Sequence, residues 1–407
     1  MLPSWYPSPE APYAGTFFRA AARAVAAAGQ DVTVLYPQLR SLKTWRPGAG
    51  FGRRVDAEDG AVREIRWDGF RWWPRERHGT VAFTHAARRL FYEYVSERGE
   101  PDLVHAHVVL PAGHAARRIG EAWDVPFVLS EHAGPFSMML ETPWQRGQVR
   151  RAYRGAAAVT AVSEHERRAM CEAGIEREIE VVPNVLDAEF VGGSLAPRRA
   201  REGTFRLLCL ASLRPGKGHE ELLRAIARIR RDKPGGSSTG GSFTGGSSTG
   251  GVSAARLVLA GEGPLRGELA ALARTLGVRD AVEFAAAPTT PGEVREAVDG
   301  CDALVLASRA ETFGVVLIEA LARGRPVLAT RCGGPEEIVS DGNGLLVAAG
   351  DVDALAGGIV ELIRRAGAFN PERIAADCAA RFGPAAVAAR YTAIYEQVVA
   401  ATASRRT

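Results

Sequence analysis

Residues 303–330 read ALVLASRAETFGVVLIEALARGRPVLAT. The stretch opens with a short apolar run, passes through a polar loop to Gly314, continues as an apolar segment and ends in a second apolar run after Pro326. Short apolar runs bounded by Gly and Pro are typical of buried strands, and the segment between them has helical length. We therefore predict a strand over residues 303–306, a helix from near Gly314 and a strand over residues 326–330, in a parallel sheet.

The same alternation of strands and helices extends over the whole chain. Further strands are predicted at residues 31–35, 103–105, 126–129, 158–162, 205–210, 256–260 and 344–347, and helices at 17–28 and 80–98. Because the pattern restarts after about residue 200, we predict an α/β fold of two Rossmann-like domains facing across a cleft. The predicted domains are residues 1–195 and 200–385, with a boundary in the Gly-, Pro- and Arg-rich segment 192–203 and a C-terminal helix (386–407) that crosses back to the first domain.

Two segments fall outside this alternation. Residues 235–251, GGSSTGGSFTGGSSTGG, have the composition of a flexible linker, which is either natural or engineered. At the N-terminus, Met1-Leu2-Pro3 leaves little length for a first strand before the loop at residues 4–14, so an upstream start of the protein is a hypothesis.

Composition excludes several classes of protein. A net charge of +4 on 407 residues, with acids and bases interleaved, argues against a nucleic-acid partner. The five cysteines are scattered and form no CxxC pair, so neither a disulfide framework nor a zinc site is indicated, and a cytoplasmic location is predicted. No apolar run is long enough to cross a bilayer.

The loop after the strand at 303–306 carries the strongest chemical pattern. Glu311 and Glu319 are eight positions apart, with Glu311 at the carboxyl edge of the strand and Glu319 in the second turn of the helix. Open α/β sheets bind ligands at this edge, and helix N-termini bind phosphates. Spacing alone leaves an alternative, in which Glu311 is a helix-dipole acid and Glu319 a solvated surface charge.

The residues around this pair closely resemble the signature of glycosyltransferase family 4, which has the GT-B fold. Other segments occur in that family's order and spacing: Leu210-Ala-Ser-Leu-Arg214-Pro-Gly-Lys217-Gly, Val258-Leu-Ala-Gly261-Glu-Gly263-Pro, Cys332-Gly-Gly334-Pro-Glu336, Asn343-Gly-Leu-Leu-Val, Ala161-Val-Ser163-Glu and Val182-Pro-Asn184-Val-Leu-Asp187. The resemblance covers nearly the whole chain and implies a retaining enzyme with a nucleotide-sugar donor.

Several residues receive roles from this resemblance. It implies that Glu311 and Lys217 are catalytic, and that the donor is bound by Arg214, Glu319, Gly261, Gly263, Thr312, Phe313, Gly314 and Val315. Lysine is rare in the chain, so a lysine between two glycines favours a diphosphate-binding loop over an ordinary basic turn. The pair Gly261 and Gly263 is weak by itself, because a lone GxG is more often an ordinary turn. Residues 285–288 depart from the commoner glycine-containing pattern near the base.

The first half contains the predicted acceptor side. Gly15, just before a predicted helix, resembles the family's glycine loop; a plain helix start is the alternative. His105 and His107 share a strand face, and the resemblance makes His107 a catalytic residue near the acceptor and His105 structural. Glu131 and His132 resemble the same cleft wall, with a satisfied polar strand end as the alternative.

Residues 63–78, REIRWDGFRWWPRERH, interleave aromatic and basic side chains. Such stretches can lie at an anionic membrane surface, and the alternative is a loop whose aromatic rings pack on the domain core. Peripheral membrane contact, toward a lipid-linked acceptor, is therefore a hypothesis.

Together these features predict a transferase that moves a sugar from a UDP- or GDP-sugar to a hydroxyl acceptor, in polysaccharide, glycolipid or cell-envelope glycan synthesis. No cofactor and no metal are expected, since Asp351-Val-Asp353 opens a predicted helix and is better explained as a helix cap. The alternatives are a sugar-nucleotide epimerase or hydrolase on the same fold, and a non-catalytic subunit that binds a nucleotide-sugar.

Overall fold

The computed structural model describes residues 1–9, 11–41, 52–71, 76–196, 204–231 and 255–406. The Gly/Ser/Thr segment 235–251 lies outside these residues. The chain divides into two compact units: one contains Met1–Ala188 with Phe382–Thr407, and the other contains Glu189–Arg381.

The N-terminal unit begins with alternating strands and helices. Its elements are β1 (Leu2–Pro3), α1 (Thr16–Ala27), β2 (Val32–Ser41), β3 (Arg53–Asp59), β4 (Val62–Arg71), α2 (Glu76–Arg98), β5 (Val104–His107), α3 (His114–Trp123), β6 (Phe127–Glu131), α4 (Pro143–Gly155), β7 (Ala158–Ala161), α5 (Glu164–Glu172) and β8 (Glu180–Val181).

The C-terminal unit repeats the alternation more regularly. Its elements are β9 (Arg206–Leu210), α6 (His219–Arg231), β10 (Arg256–Ala260), α7 (Arg266–Thr275), β11 (Val282–Ala285), α8 (Pro291–Asp299), β12 (Ala303–Leu306), α9 (Val315–Ala322), β13 (Val327–Arg331), α10 (Pro335–Ile338), β14 (Gly344–Ala348), α11 (Val352–Arg365) and α12 (Pro371–Phe382). The last helix of the chain, α13 (Pro384–Arg406), belongs to the N-terminal unit.

The C-terminal sheet has six parallel strands in the order β11-β10-β9-β12-β13-β14. Strands β10 and β11 are therefore added on one side of β9. The chain then returns to the other side of β9, where β12, β13 and β14 are added in turn. In such a sheet the loops after β9 and β12 leave toward opposite faces and open a crevice at the carboxyl edge. The positions that follow these two strands are residues 211–218 and 307–314.

The N-terminal sheet has the same kind of reversal. Its parallel order is β1-β5-β6-β7-β8, and β2 lies beside β1, because the Leu35 N–H donates to the Met1 carbonyl at 2.9 Å. The reversal thus falls between β1 and β5. Of the predicted residues, Gly15 lies after β1 and His107 is the last residue of β5. The short β1 occupies the place of the first strand that was predicted to be truncated.

A third sheet was not anticipated. Its order is β2-β4-β3, with β2 parallel and β3 antiparallel to β4. The alternative of a loop whose aromatic rings pack on the core is wrong about the loop for residues 63–71, which belong to β4, and right about the packing. Phe70 is buried and Trp67 packs against the core. Trp72, Trp73 and Arg75 lie outside the described residues.

Two arginines explain why the boundary falls before the predicted segment 192–203. Arg323, 4% exposed, donates to the carbonyls of Gly192 and Ser194 at 3.2 and 2.9 Å. Arg325, 1% exposed, donates to the Ala196 carbonyl at 3.0 Å. Residues 192–196 are therefore fastened to the C-terminal unit.

Helix α13 joins the core of the N-terminal unit. Val387 and Tyr391 are buried in the same apolar cluster as Phe18 and Val25 of α1. None of the described helices is long and apolar enough to span a bilayer.

Candidate functional site

The loops after β9 and β12 are brought together by an ion pair. Lys217 Nζ lies 2.8 Å from Glu311 Oε2, and both side chains are partly exposed. The two residues are far apart in sequence and come from the strands on either side of the reversal point. The structure thus places the two residues predicted to be catalytic in this half of the chain in direct contact.

Backbone hydrogen bonds fix both partners of this pair. The Arg309 N–H donates to the Gly216 carbonyl at 2.8 Å, which ties the two loops together. The Glu311 N–H donates to the Cys332 carbonyl at 3.0 Å, and the Gly334 N–H donates to the Glu311 carbonyl at 2.8 Å. Glu311 is therefore held from both sides by the segment that follows β13.

Glycines permit the close approach of these loops. A Cβ on Gly218, whose φ is +69°, would lie 1.8 Å from the Ala307 carbonyl oxygen, and one on Gly334 would lie 2.3 Å from the Thr312 oxygen. No side chain other than hydrogen fits at either position. The loop with Lys217 can therefore reach the loop with Glu311 only because Gly218 follows it.

Gly261 and Gly263 are required by packing within the C-terminal unit. Their Cβ atoms would lie 2.0 Å from the Ala211 oxygen and 2.3 Å from the Leu213 oxygen. Both glycines are thus required, because the loop after β10 packs closely against the loop that carries Lys217. The predicted contact of these glycines with the donor stays a prediction.

His219 also shapes the loop that carries Lys217 (residues 211–218), and no sequence pattern pointed to it. Its ring is 2% exposed, and Nε2 lies 3.0 Å from the Ser212 carbonyl oxygen. Burial lowers its pKa, so the ring is neutral and donates its proton to that carbonyl. Arg214, in contrast, is exposed, and it borders a cavity of about 520 Å³ together with Arg309 and Glu268.

Helix α9 begins beside the ion pair. Gly314 stands at its N-cap with φ +97° and provides no capping side chain. The first N–H groups of an α-helix have no partner within the helix and carry the positive end of its dipole. Val315 opens the helix, and Glu319 follows in its second turn, partly buried. Thr312 and Phe313 lie in the loop between Glu311 and this helix.

The N-terminal unit has a very different site at the carboxyl ends of β1 and β5. His105 and His107 are each 1% exposed, with ring centroids 4.1 Å apart. His105 Nδ1 lies 2.6 Å from the Tyr395 hydroxyl of α13, and Nε2 lies 2.7 Å from Ser130 Oγ. Burial lowers the pKa of both histidines well below the ordinary value, so both rings are neutral.

His107 belongs to a chain of hydrogen bonds. Its Nδ1 lies 3.0 Å from His132 Nε2, and His132 Nδ1 lies 2.9 Å from Asn184 Oδ1. Burial lowers the pKa of His132 to about 4. The structure therefore brings together two predicted residues and a third, Asn184, that was recognised only as part of a motif.

Glu131 has internal partners on all sides. It is fully buried and accepts hydrogen bonds from the N–H groups of Val109, His132 and Ala133 and from the Tyr153 hydroxyl, at 2.7 to 3.1 Å. Burial raises its pKa, and these donors oppose that shift. The predicted acceptor-side contact therefore has no support at Glu131, which organises the loop after β6 instead.

Gly15 starts α1 with φ +74°. A Cβ there would lie 2.8 Å from the Phe18 ring and 2.9 Å from the Trp5 ring. Phe18 in turn contacts the rings of His107 and His132, with centroids 5.1 and 4.9 Å apart. Gly15 thus allows the helix to begin against the histidine cluster.

Asp351 caps α11, as predicted. Its side chain accepts hydrogen bonds from the N–H groups of Asp353 and Ala354, each at 2.9 Å. Within the described ranges, no three His, Cys, Asp or Glu side chains are grouped as metal ligands would be.

Comparisons with known proteins agree with this architecture. The family described as "Glycosyltransferase Family 4" matches residues 14–190, and the one described as "Glycosyl transferases group 1" matches residues 195–373. Among curated proteins, a D-inositol 3-phosphate glycosyltransferase of Frankia alni is 30% identical over 84% of this chain and 84% of that protein. The one of Acidothermus cellulolyticus is 32% identical over 69% of this chain, and the match spans only 63% of its own length.

Solved structures show the same fold. A sucrose-phosphate synthase from Thermosynechococcus elongatus superposes with a TM-score of 0.73 at 20% identity, covering 95% of this chain and 93% of the other. Anabaena HepE in complex with UDP and glucose superposes with a TM-score of 0.68 at 18% identity, covering 96% and 97%. The two family models together match most of the chain, and the solved structures share its two α/β units with reversing parallel sheets. The chain is therefore a member of glycosyltransferase family 4 and has the GT-B fold.

Proposed function

We propose that this protein transfers a hexose from a UDP- or GDP-sugar to a hydroxyl acceptor with retention of configuration. The observation that carries the proposal is the pairing of Lys217 with Glu311 at the reversal point of the C-terminal sheet. This is the edge at which open α/β sheets bind nucleotides.

The donor's diphosphate fits the positive side of this site. Lys217, the exposed Arg214 and the N-terminus of α9 supply two cations and a set of N–H donors on neighbouring loops. The leaving diphosphate gains negative charge as the glycosidic bond breaks, and fixed positive charge stabilises that state more than the ground state. Lys217 would then give up its contact with Glu311 in favour of the phosphates.

The carboxylates suit the neutral parts of the donor. Glu311 accepts hydrogen bonds and, once it is released from Lys217, would orient the sugar hydroxyls. Glu319, one turn into α9, would accept from the ribose diol. The small residues Ala285 and Ala287 border a cavity of about 560 Å³ beside the sheet, which is large enough for a nucleotide base.

The N-terminal unit would supply the acceptor side, with His107 as its catalytic residue and His132 beside it. The curated relatives described above are named for transfer to an inositol phosphate. These names support a polyol acceptor, and a glycan or lipid-linked acceptor is part of the same proposal. The groups proposed here require no metal. Metal independence predicts that EDTA leaves the turnover unchanged.

Peripheral membrane contact remains a separate proposal. Because Trp67 packs against the apolar core and Phe70 is buried, the contact would depend on Trp72, Trp73 and Arg75. Replacing these three together should reduce binding to vesicles that contain anionic lipid. Unchanged vesicle binding would contradict the contact.

A panel of UDP-, GDP- and ADP-sugars in a thermal-shift assay tests the donor. A ligand that binds only the native state raises the melting temperature by mass action, so the correct donor should stand out from the panel. Product analysis by NMR then reads the anomeric configuration of the new bond. No shift with any sugar nucleotide, or an inverted product, would contradict the proposal.

A further inference from the structure

The chain of hydrogen bonds from Asn184 through His132 to His107 determines where the imidazole protons lie. An amide oxygen can only accept, so Asn184 Oδ1, at 2.9 Å, requires a proton on His132 Nδ1. A neutral imidazole carries one N–H, which leaves His132 Nε2 as an acceptor. That nitrogen lies 3.0 Å from His107 Nδ1, which must therefore be the donor.

The same reasoning leaves His107 Nε2 without a proton. This nitrogen is buried, and the described part of the chain gives it no hydrogen-bond partner. The neighbouring rings of Phe18 and His105 offer it none, because His105 is already bonded to Tyr395 and Ser130. A buried acceptor without a partner is unfavourable, and a hydroxyl donor from a ligand would satisfy it.

We propose that Asn184 and His132 are positioning residues that hold His107 in its Nδ1–H tautomer, so that Nε2 is presented as a hydrogen-bond acceptor for a hydroxyl of a polyol substrate. The substrate class rests on the function proposed above, whereas the tautomer follows from the hydrogen bonds that begin at Asn184 Oδ1. The opposite tautomer would direct an N–H into the buried environment of Nε2 and would set two lone pairs against each other between the rings.

NMR of the full-length chain with ¹⁵N-labelled histidine measures the tautomers directly. Long-range ¹H–¹⁵N correlations distinguish Nδ1–H from Nε2–H rings, and single His→Gln variants assign the signals. We expect the Nδ1–H form for both His107 and His132 in the substrate-free protein. His219 is the internal reference with the opposite tautomer, because its Nε2 donates to the Ser212 carbonyl. An Nε2–H form or a charged ring at His107 above pH 7 would overturn the proposal.

Two substitutions at Asn184 separate positioning from simple packing. Asn184→Asp keeps the acceptor oxygen and lacks the amide donor, whereas Asn184→Leu keeps the size and lacks the acceptor. At alkaline pH, where the added carboxylate leaves His132 neutral, the Asp variant should retain the His107 tautomer and most of kcat. The Leu variant should lose the single tautomer and lower kcat by about 10- to 100-fold, as when the partner that orients a functional histidine is removed.

Binding of UDP to the C-terminal unit should be the same in both variants, so the effect falls on kcat and not on nucleotide affinity. Equal loss of kcat in the Asp and Leu variants would contradict a role for the acceptor oxygen. If the Leu variant does not fold, the spectrum of the unsubstituted chain still decides the tautomer. The expected spectrum without turnover on any sugar nucleotide would refute the proposed function alone, and turnover with an Nε2–H His107 would refute the relay alone.

Discussion

The two units place different chemistry at the same position in their sheets. In the C-terminal unit the reversal between β9 and β12 carries a partly exposed ion pair, Lys217 with Glu311. In the N-terminal unit the reversal between β1 and β5 leads to His107, whose neutral ring is buried. The fold therefore provides the location, and the residues after each strand decide whether it handles charge or neutral hydrogen bonds. The proposed diphosphate fits the charge of the C-terminal site, and the proposed acceptor hydroxyls fit the neutral N-terminal site.

The largest expected effect comes from removing the cation of the charged site. Lys217→Ala should lower kcat by roughly 10²–10³, the usual loss when one preorganised charge-stabilising group is removed. Steady-state kinetics with the donor identified in the thermal-shift panel measures this. Arg224→Ala is the control, because Arg224 pairs with Glu220 on the surface of α6. Comparable kinetics for both variants would show that the ion pair has no role in catalysis.

The next effect concerns the backbone that holds the two charged loops together. Gly218→Ala places a Cβ 1.8 Å from the Ala307 oxygen at φ +69°, which should destabilise the chain by about 3 kcal/mol. Gly216→Ala is matched to it, since Gly216 also has a positive φ (+87°) but nothing within 4 Å of its Cβ. Its cost should be about 1 kcal/mol. Equal losses in denaturant unfolding would show that close approach of the loops is unimportant.

The neutral site should make the chain sensitive to acid. The pKa of His132 is lowered from 6.5 to about 4 in the folded state. The unfolded chain therefore binds a proton that the folded chain does not, and stability falls as the pH drops from 6.5 toward 4, by on the order of 3 kcal/mol. His132→Gln should flatten the dependence of Tm on pH in this window, while His85→Gln, at an exposed position, should leave it as it is. An unchanged slope in the His132 variant would contradict the burial argument.

The smallest expected effect concerns the second carboxylate. Glu319→Ala should raise the Kd for the nucleotide about tenfold, which corresponds to about 1.4 kcal/mol for the loss of hydrogen bonds to a ribose. Calorimetric titration with UDP or GDP measures this. Glu361→Ala on α11, whose carboxylate pairs with Arg364 on the surface, is the control. Unaltered nucleotide affinity in the Glu319 variant would show that Glu319 does not bind the ribose.

The sequence predicted the main strands of both sheets because parallel strands buried on two faces are continuous apolar runs. All four residues of β12, for example, are buried. It did not predict β3, because most residues of this strand are charged and exposed and they form no continuous apolar run. The Glu311 loop was also predicted, and membership of glycosyltransferase family 4 is confirmed. Asn184 and His219 were not assigned roles. Asn184 contacts His132, which is distant in sequence, and His219 contacts the Ser212 carbonyl across a turn, and a local sequence pattern shows neither contact.

The most direct test of the account is a crystal structure of the chain with the sugar nucleotide that stabilises it. We predict that the β-phosphate lies within hydrogen-bond distance of Lys217 Nζ and of an N–H group at the start of α9, with the ribose hydroxyls at Glu319. A diphosphate bound elsewhere, with the contact between Lys217 and Glu311 intact, would contradict the account.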